Sequence, residues 1–248
     1  MQALVFAAGR GTRLRPHTDV TPKPLLEVGG EPMIARCLRA VVGVVDEIGI
    51  VVGYRGTEIV DAIGDTFEGV PITYARQHER MGLAHALVCG AEALGLESRA
   101  AETGPLLTVN GDNVFEGDLS ALVDAHRPPA VDGAVLLDRL SRNEAETAAV
   151  FDLAADGTIQ ELESTAPTGA ETGYLAAGAQ IHGLEIVEAC RSLEVNDSGE
   201  YELADALQSL VDRGRRYVGV EHAGWHLNVN TPADLERARA YFDSEPSS

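Results

Sequence analysis

Short, nearly unbroken apolar runs alternate with amphipathic stretches through the first 139 residues. The runs Leu4–Ala8, Ile48–Val52, Ile72–Ala75, Leu106–Val109 and Ala134–Leu137 have strand length, and their lack of polar alternation predicts burial on both faces. Between them, apolar residues recur at helical spacing over Met33–Val44, Glu58–Ile63, Leu83–Leu94 and Leu119–His126. This alternation predicts an α/β fold with a mostly parallel sheet covered by helices on both faces. Ligands of such sheets bind beyond the carboxyl ends of the strands, so the residues just after each run matter most.

Beyond residue 139 the rhythm changes. The segment 149–163 reads as a hairpin turning at Asp156-Gly157, and 175–183 as a strand before a helix over Leu184–Leu193. A second helix falls within 199–214 and ends at Gly214, a residue type suited to a left-handed cap. Strand character resumes over 215–229, and a closing helix follows with Thr231 as N-cap, Pro232 at its first position and Asp234 in its first turn. We expect one domain over 1–242, with an alternating α/β core at 1–139, a smaller β-rich part at 140–242 and a frayed tail at 243–248.

Composition narrows the partners. The chain has 39 acidic and 19 basic residues, a net charge of −20, so its surface repels nucleic acid and anionic lipid. No run approaches the roughly 18 apolar residues of a membrane span. The N-terminus enters a strand without a basic, cleavable leader, so a cytoplasmic protein is expected. The acids are spread over every segment, as suits a salt-rich, halophilic cytoplasm where screening removes self-repulsion. Cys37, Cys89 and Cys190 are scattered and unpaired in sequence, which argues for small buried apolar residues over a disulfide framework or a zinc site. His222 and His226 are four apart, but Gly224 and strand-like neighbours deny them a shared helical face for zinc.

Candidate chemistry concentrates after the first strand. Gly9 and Gly11 allow a close backbone approach and leave amide N–H groups free to face an anion. A dinucleotide fingerprint would need glycine where Leu14 stands, and a Walker loop would need Gly-Lys-Ser/Thr. What remains is a glycine-rich loop carrying Arg10, Arg13 and Arg15, followed by Lys23, the only lysine in the chain. Pro22 and Pro24 are expected to hold the backbone around Lys23 extended. Cations so placed suit polyphosphate oxygens whose charge shifts during phosphoryl or nucleotidyl transfer. A second strand end, Asn110-Gly111-Asp112-Asn113, offers a carboxylate suited to Mg²⁺ and phosphate.

The order Ala-Ala-Gly-x-Gly-Thr-Arg-Leu-x-Pro, then Pro-Lys-x-Leu-Leu-x-Val-x-Gly, over residues 4–30 resembles the signature of the sugar-phosphate nucleotidylyltransferases. Glucose-1-phosphate thymidylyl- and uridylyltransferases are among them. The resemblance implies a Rossmann-like doubly wound sheet with a small β-rich sugar-binding insert. It also implies an enzyme that joins UTP or dTTP to a sugar 1-phosphate, with glucose 1-phosphate the leading acceptor, and releases pyrophosphate with Mg²⁺ as cofactor. By the same resemblance, Ala7, Ala8, Gly9, Gly11, Thr12 and Arg13 hold base and triphosphate, and Gln77 and Gly82 read the pyrimidine. Arg13 contacts the departing phosphates and Lys23 the α-phosphate region, as catalytic residues. Asn110, Glu163, Gly178 and Glu200 match sugar-pocket positions, and Asp112 and Asn228 the two metal positions. A homo-oligomer is left open.

Three positions depart from that pattern. Asn228 stands where a second metal-binding aspartate is expected, Asn230 replaces a glycine, and Ser164 replaces the lysine that holds the sugar phosphate. The stretch 228–235 is also similar to molybdenum-cofactor nucleotidyltransferases, so a different phosphorylated acceptor is the second reading. A nucleotide- or sugar-phosphate-sensing domain without turnover is the third.

Overall fold

Strand β1 (Gln2–Ala7) is buried along its whole length. Ala3, Val5 and Ala7 enter one core, while Leu4 and Phe6, with Ala8 beyond them, enter another. Side chains of a strand alternate between faces, which is why a strand covered on both sides carries no polar face. The computed structural model describes residues 1–98, 104–127, 129–141, 149–165, 172–196 and 199–244.

Two short strands, β2 (Glu27–Val28) and β3 (Glu31–Pro32), form a ladder of their own. They are followed by β4 (Glu47–Val52), β5 (Thr66–Phe67), β6 (Val70–Arg76), β7 (Leu106–Asn110) and β8 (Asn113–Phe115). The second half supplies β9 (Gly133–Ser141), β10 (Ala149–Leu153), β11 (Ile159–Thr165), β12 (Thr172–His182), β13 (Tyr217–Glu221) and β14 (His226–Asn228). Eight strands make the central sheet, in the order β13-β9-β12-β7-β1-β4-β6-β5. β1 runs parallel to β4 and β7, β4 parallel to β6, and β9 parallel to β13.

The helices are α1 (His17–Val20), α2 (Met33–Val42), α3 (Gly56–Ile63), α4 (Leu83–Ala93) and α5 (Ser120–Ala125), then α6 (Glu185–Arg191), α7 (Leu203–Asp212) and α8 (Pro232–Ser244). α4, α6 and α7 bury Leu87, Ile186 and Leu207 in the core that holds Leu4. α2, α3 and α5 bury Leu38, Ile59 and Leu122 against the opposite face. The expected α/β sheet covered on both faces is thus observed. Among the described residues, no helix is long and apolar enough to cross a membrane.

One topological feature was not foreseen: β12 enters the middle of the sheet antiparallel to both neighbours, β7 and β9. The second half therefore shares the central sheet, and the hairpin β10–β11 is the part that stands apart from it. Between Ala176 and Gln180 the pairing with β9 slips, and Gly178 takes φ +73° there. This is a bulge, and a Cβ on Gly178 would lie 2.4 Å from Asn113 Nδ2.

The local turn chemistry follows the sequence. Gly157 has φ +80° in the β10–β11 turn, where the Thr158 N–H donates to Asp156 Oδ1. At the start of α8, the Asp234 N–H donates to Thr231 Oγ1 and the Thr231 N–H donates to Asp234 Oδ2, a reciprocal cap. α8 continues through Asp243 and Ser244, two residues into the expected tail, and 245–248 lie outside the described residues.

Candidate active site

The loop after β1 is pinned from behind. Thr18 Oγ1 and the Leu14 N–H both donate to the Gly11 carbonyl, at 2.9 Å each, and Leu14 is fully buried. Gly11 adopts φ +63°, and a Cβ there would lie 2.8 Å from Lys23 Cβ, so glycine is what lets the loop rest on the lysine. A Cβ at Gly9 would meet nothing within 4 Å, because that side of the loop opens onto the cleft.

Lys23 opens a 3₁₀ turn, Lys23–Leu25, which corrects the extended backbone expected between its prolines. The first bond of that turn runs from the Leu25 N–H to the Pro22 carbonyl, so the missing N–H of Pro24 costs nothing. The turn buries Lys23 to 8% exposure. Its Nζ donates to Asp112 Oδ2 at 2.7 Å and to Asn230 Oδ1 at 3.1 Å, and Arg13 Nη2 donates to the same Asn230 oxygen at 3.0 Å.

Asp112 is brought there by a tight exit from β7, in which the Gly111 N–H donates to the Phe6 carbonyl of β1. Its other oxygen, Oδ1, accepts from Asn113 Nδ2 at 3.0 Å. Asn113 is in turn 2.6 Å from His226 Nε2, whose ring also meets Asp138 at 2.6 Å through Nδ1. Beneath this group, burial pushes the Cys37 thiol up, and the nearby Asp112 charge adds to the shift, so the residue stays an apolar, protonated packer. Cys190 is likewise buried, whereas Cys89 is only partly buried.

Two adjoining clefts of about 240 and about 280 Å³ share Phe6, Gly9 and Asp112. The first is walled by Ala7, Gly11, Thr12, Arg13, Lys23 and Asn230. The second is walled by Ala8, Gln77, Arg80, Gly82, Leu83, Asn110 and Glu200. The two halves of the chain are stitched together at this point. Gly82, at φ +92°, packs so closely on Tyr201 that a Cβ would lie 2.3 Å from its carbonyl oxygen, and the Tyr201 N–H donates to Met81 O.

The structure therefore brings together Ala7, Ala8, Gly9, Gly11, Thr12, Arg13, Lys23, Gln77, Gly82, Asn110, Asp112 and Glu200. Gly178 lies behind Asn113 instead of lining either cleft. Glu163 and Ser164 lie on β11, and their side chains are outside the described residues. Asn228 pairs with Asn113 across β14 and β8 and is exposed; it lines neither cleft. Asn230, read from the sequence only as a lost glycine, is the asparagine that joins Arg13 and Lys23. Phe6 and Arg80 were also missed. An apolar strand residue and a loop arginine give no sequence signal, whereas Asn230 lies just before the recognisable Thr231-Pro232 cap.

The oxygens here suit a small hard cation. Each carboxylate oxygen of Asp112 spends one lone pair on Lys23 or Asn113 and keeps another, whereas Asn230 Oδ1 is taken up by Lys23 and Arg13 and the amide of Asn228 lies in the neighbouring segment. One carboxylate with neutral oxygens is the donor set on which Mg²⁺ sits when phosphates and water complete its shell.

Three similarities bear on this cleft. Over 246 residues the chain is 34% identical to a UTP-glucose-1-phosphate uridylyltransferase, AglF, of Haloferax volcanii, covering 99% of this chain and 98% of that one. It is 31% identical over 238 residues to a glucose-1-phosphate thymidylyltransferase of Streptomyces griseus, covering 95% of this chain but 64% of that enzyme's length. A Bacillus anthracis structure assigned as a glucose-1-phosphate thymidylyltransferase, in complex with sucrose, superposes with a TM-score of 0.80 at 26% identity, covering 100% of this chain and 97% of its own. The family model for nucleotidyl transferases matches residues 2–243, and with the glycine-rich loop, Lys23 and Asp112 converging on one cleft, the chain belongs to the nucleotidyl transferase family.

Proposed function

We propose that this protein transfers the nucleotidyl group of UTP or dTTP to glucose 1-phosphate, giving the nucleotide-sugar and pyrophosphate. The observation that carries this reading is Lys23, the single lysine of the chain, buried beside Asp112 at the mouth of a glycine-rich loop. Similarity to a uridylyltransferase and a thymidylyltransferase that both take glucose 1-phosphate supports the substrate pair.

In the reaction, an oxygen of the sugar phosphate attacks the α-phosphorus in line, and the bond from that phosphorus to the β-phosphate bridging oxygen breaks. No covalent enzyme intermediate forms. The attacking oxygen is already anionic and needs no general base. Loop amides of Gly9 to Thr12 face the triphosphate, Arg13 neutralises the departing phosphates, and Lys23 stabilises charge around the α-phosphorus. Gln77 and Gly82 hold the base, and Asn110 and Glu200 face the sugar. Mg²⁺ would be held by Asp112 and would supply charge neutralisation across the phosphates when bound. Residues 1–139 serve mainly the nucleotide and 140–242 the sugar, and a reaction consuming a nucleoside triphosphate belongs in the cytoplasm.

The test is pyrophosphate release across UTP, dTTP, CTP and GTP with several sugar 1-phosphates, in Mg²⁺ and high KCl. Release with UTP or dTTP and glucose 1-phosphate is expected. No release with any pair would contradict the proposal, and release only with another phosphorylated acceptor would move the protein to a different substrate class.

A further inference from the structure

Gln77 is 5% exposed and lines the wider cleft. Its side-chain Nε2 lies 3.0 Å from the Gly82 carbonyl oxygen and 3.2 Å from His85 Nδ1. A carbonyl only accepts, so the group facing Gly82 is the NH₂ end of the amide. The second hydrogen of that NH₂ then meets Nδ1, which must be the bare, accepting nitrogen of the ring. The ring proton consequently sits on Nε2, 3.7 Å from the Cys89 sulfur. Burial first, and then the charge of Glu92, raise the pKa of Cys89, so a neutral thiol is the weak acceptor there. Both hydrogens of Gln77 are thus used within its own loop and helix. Its Oε1 has no hydrogen-bond partner among the described residues and is the atom left for a ligand.

We propose that His85 is a specificity-determining positioning residue: by holding the Gln77 amide, it presents a fixed acceptor to the nucleobase. The inference rests on the nucleotide reading above. Uracil and thymine carry N3–H at the edge an acceptor can read. Cytosine has a bare N3, which would face Oε1 lone pair to lone pair. Guanine also has a ring N–H, so its exclusion falls to the size of the cleft. Without an acceptor at position 85, the Gly82 carbonyl alone holds the amide, which is then free to turn and offer its NH₂ to the bare nitrogen of cytosine.

Calorimetric binding of UTP and CTP, without acceptor sugar, tests this independently of turnover. The wild type should favour UTP at least about 10-fold, the scale of one mismatched buried hydrogen bond. His85→Leu, which removes the acceptor, should narrow that ratio to within about 3-fold. His85→Asn, whose Oδ1 replaces Nδ1 as acceptor, should restore most of it, a rescue that a purely packing role for the ring would not give. A folded His85→Leu protein with the wild-type ratio would overturn the inference, as would His85→Asn behaving like His85→Leu. Should His85→Leu not fold, equal ratios in wild type and Gln77→Met would overturn it instead. Tight UTP binding without pyrophosphate release would leave this inference standing and count against the proposed reaction alone.

Discussion

Lys23 and His182 show how burial serves opposite ends in one molecule. Lys23 is buried with its Nζ donating to Asp112 Oδ2 and Asn230 Oδ1. His182, with no exposure, keeps a neutral ring between Thr108 and the Tyr217 hydroxyl. Burial first, and then the charge of His126, push His182 down to about 3. The unfolded value is about 6.5, so above that pH both states are neutral and the residue adds no pH dependence. As pH falls from about 6.5 toward about 3, the unfolded chain takes a proton that the folded one refuses, and stability drops by up to about 1.4 kcal/mol per pH unit. Denaturant midpoints measured from pH 6.5 to 4.5 should fall less steeply in His182→Gln than in wild type; equal slopes would contradict the assignment. At this scale the loop, Lys23, Gln77 and Asp112 were legible because residue type and order encode their chemistry. The Asn230 bridge was not, because it depends on a separation of 207 residues from Lys23 that only the fold closes.

At the scale of elements, the alternating runs carried the fold because strands buried on both faces and helices buried on one face leave different apolar periods. The placement of β12 could not be read in the same way. An apolar strand such as 175–183 has the same pattern whether it lies parallel, antiparallel or in an insert. Its bulge nonetheless gives a sharp expectation. Gly178 needs φ +73°, and a Cβ there would strike the Asn113 amide, which holds Asp112 Oδ1. Gly178→Ala should therefore lower stability by more than about 1 kcal/mol in denaturant titrations. A midpoint within error of wild type would show that the bulge tolerates a side chain and that Asn113 has room to move.

The molecule as a whole carries 20 net negative charges with 18 arginines among its 19 basic residues. Ion pairs such as Arg191 with Glu92 and Arg216 with Asp156 offset only part of the repulsion. Screening at molar KCl should raise the melting temperature; a steady fall as KCl is added would remove the salt-adapted reading. The proposed function rests on one arrangement, Lys23 buried beside Asp112 beneath the glycine-rich loop. The most direct test is the rate of pyrophosphate release from UTP and glucose 1-phosphate with Mg²⁺, compared between wild type and Lys23→Ala. Turnover by the wild type and a loss of at least about 100-fold in the variant, with its melting temperature preserved, is the predicted result. Near-normal turnover in Lys23→Ala, or none in the wild type, would contradict it.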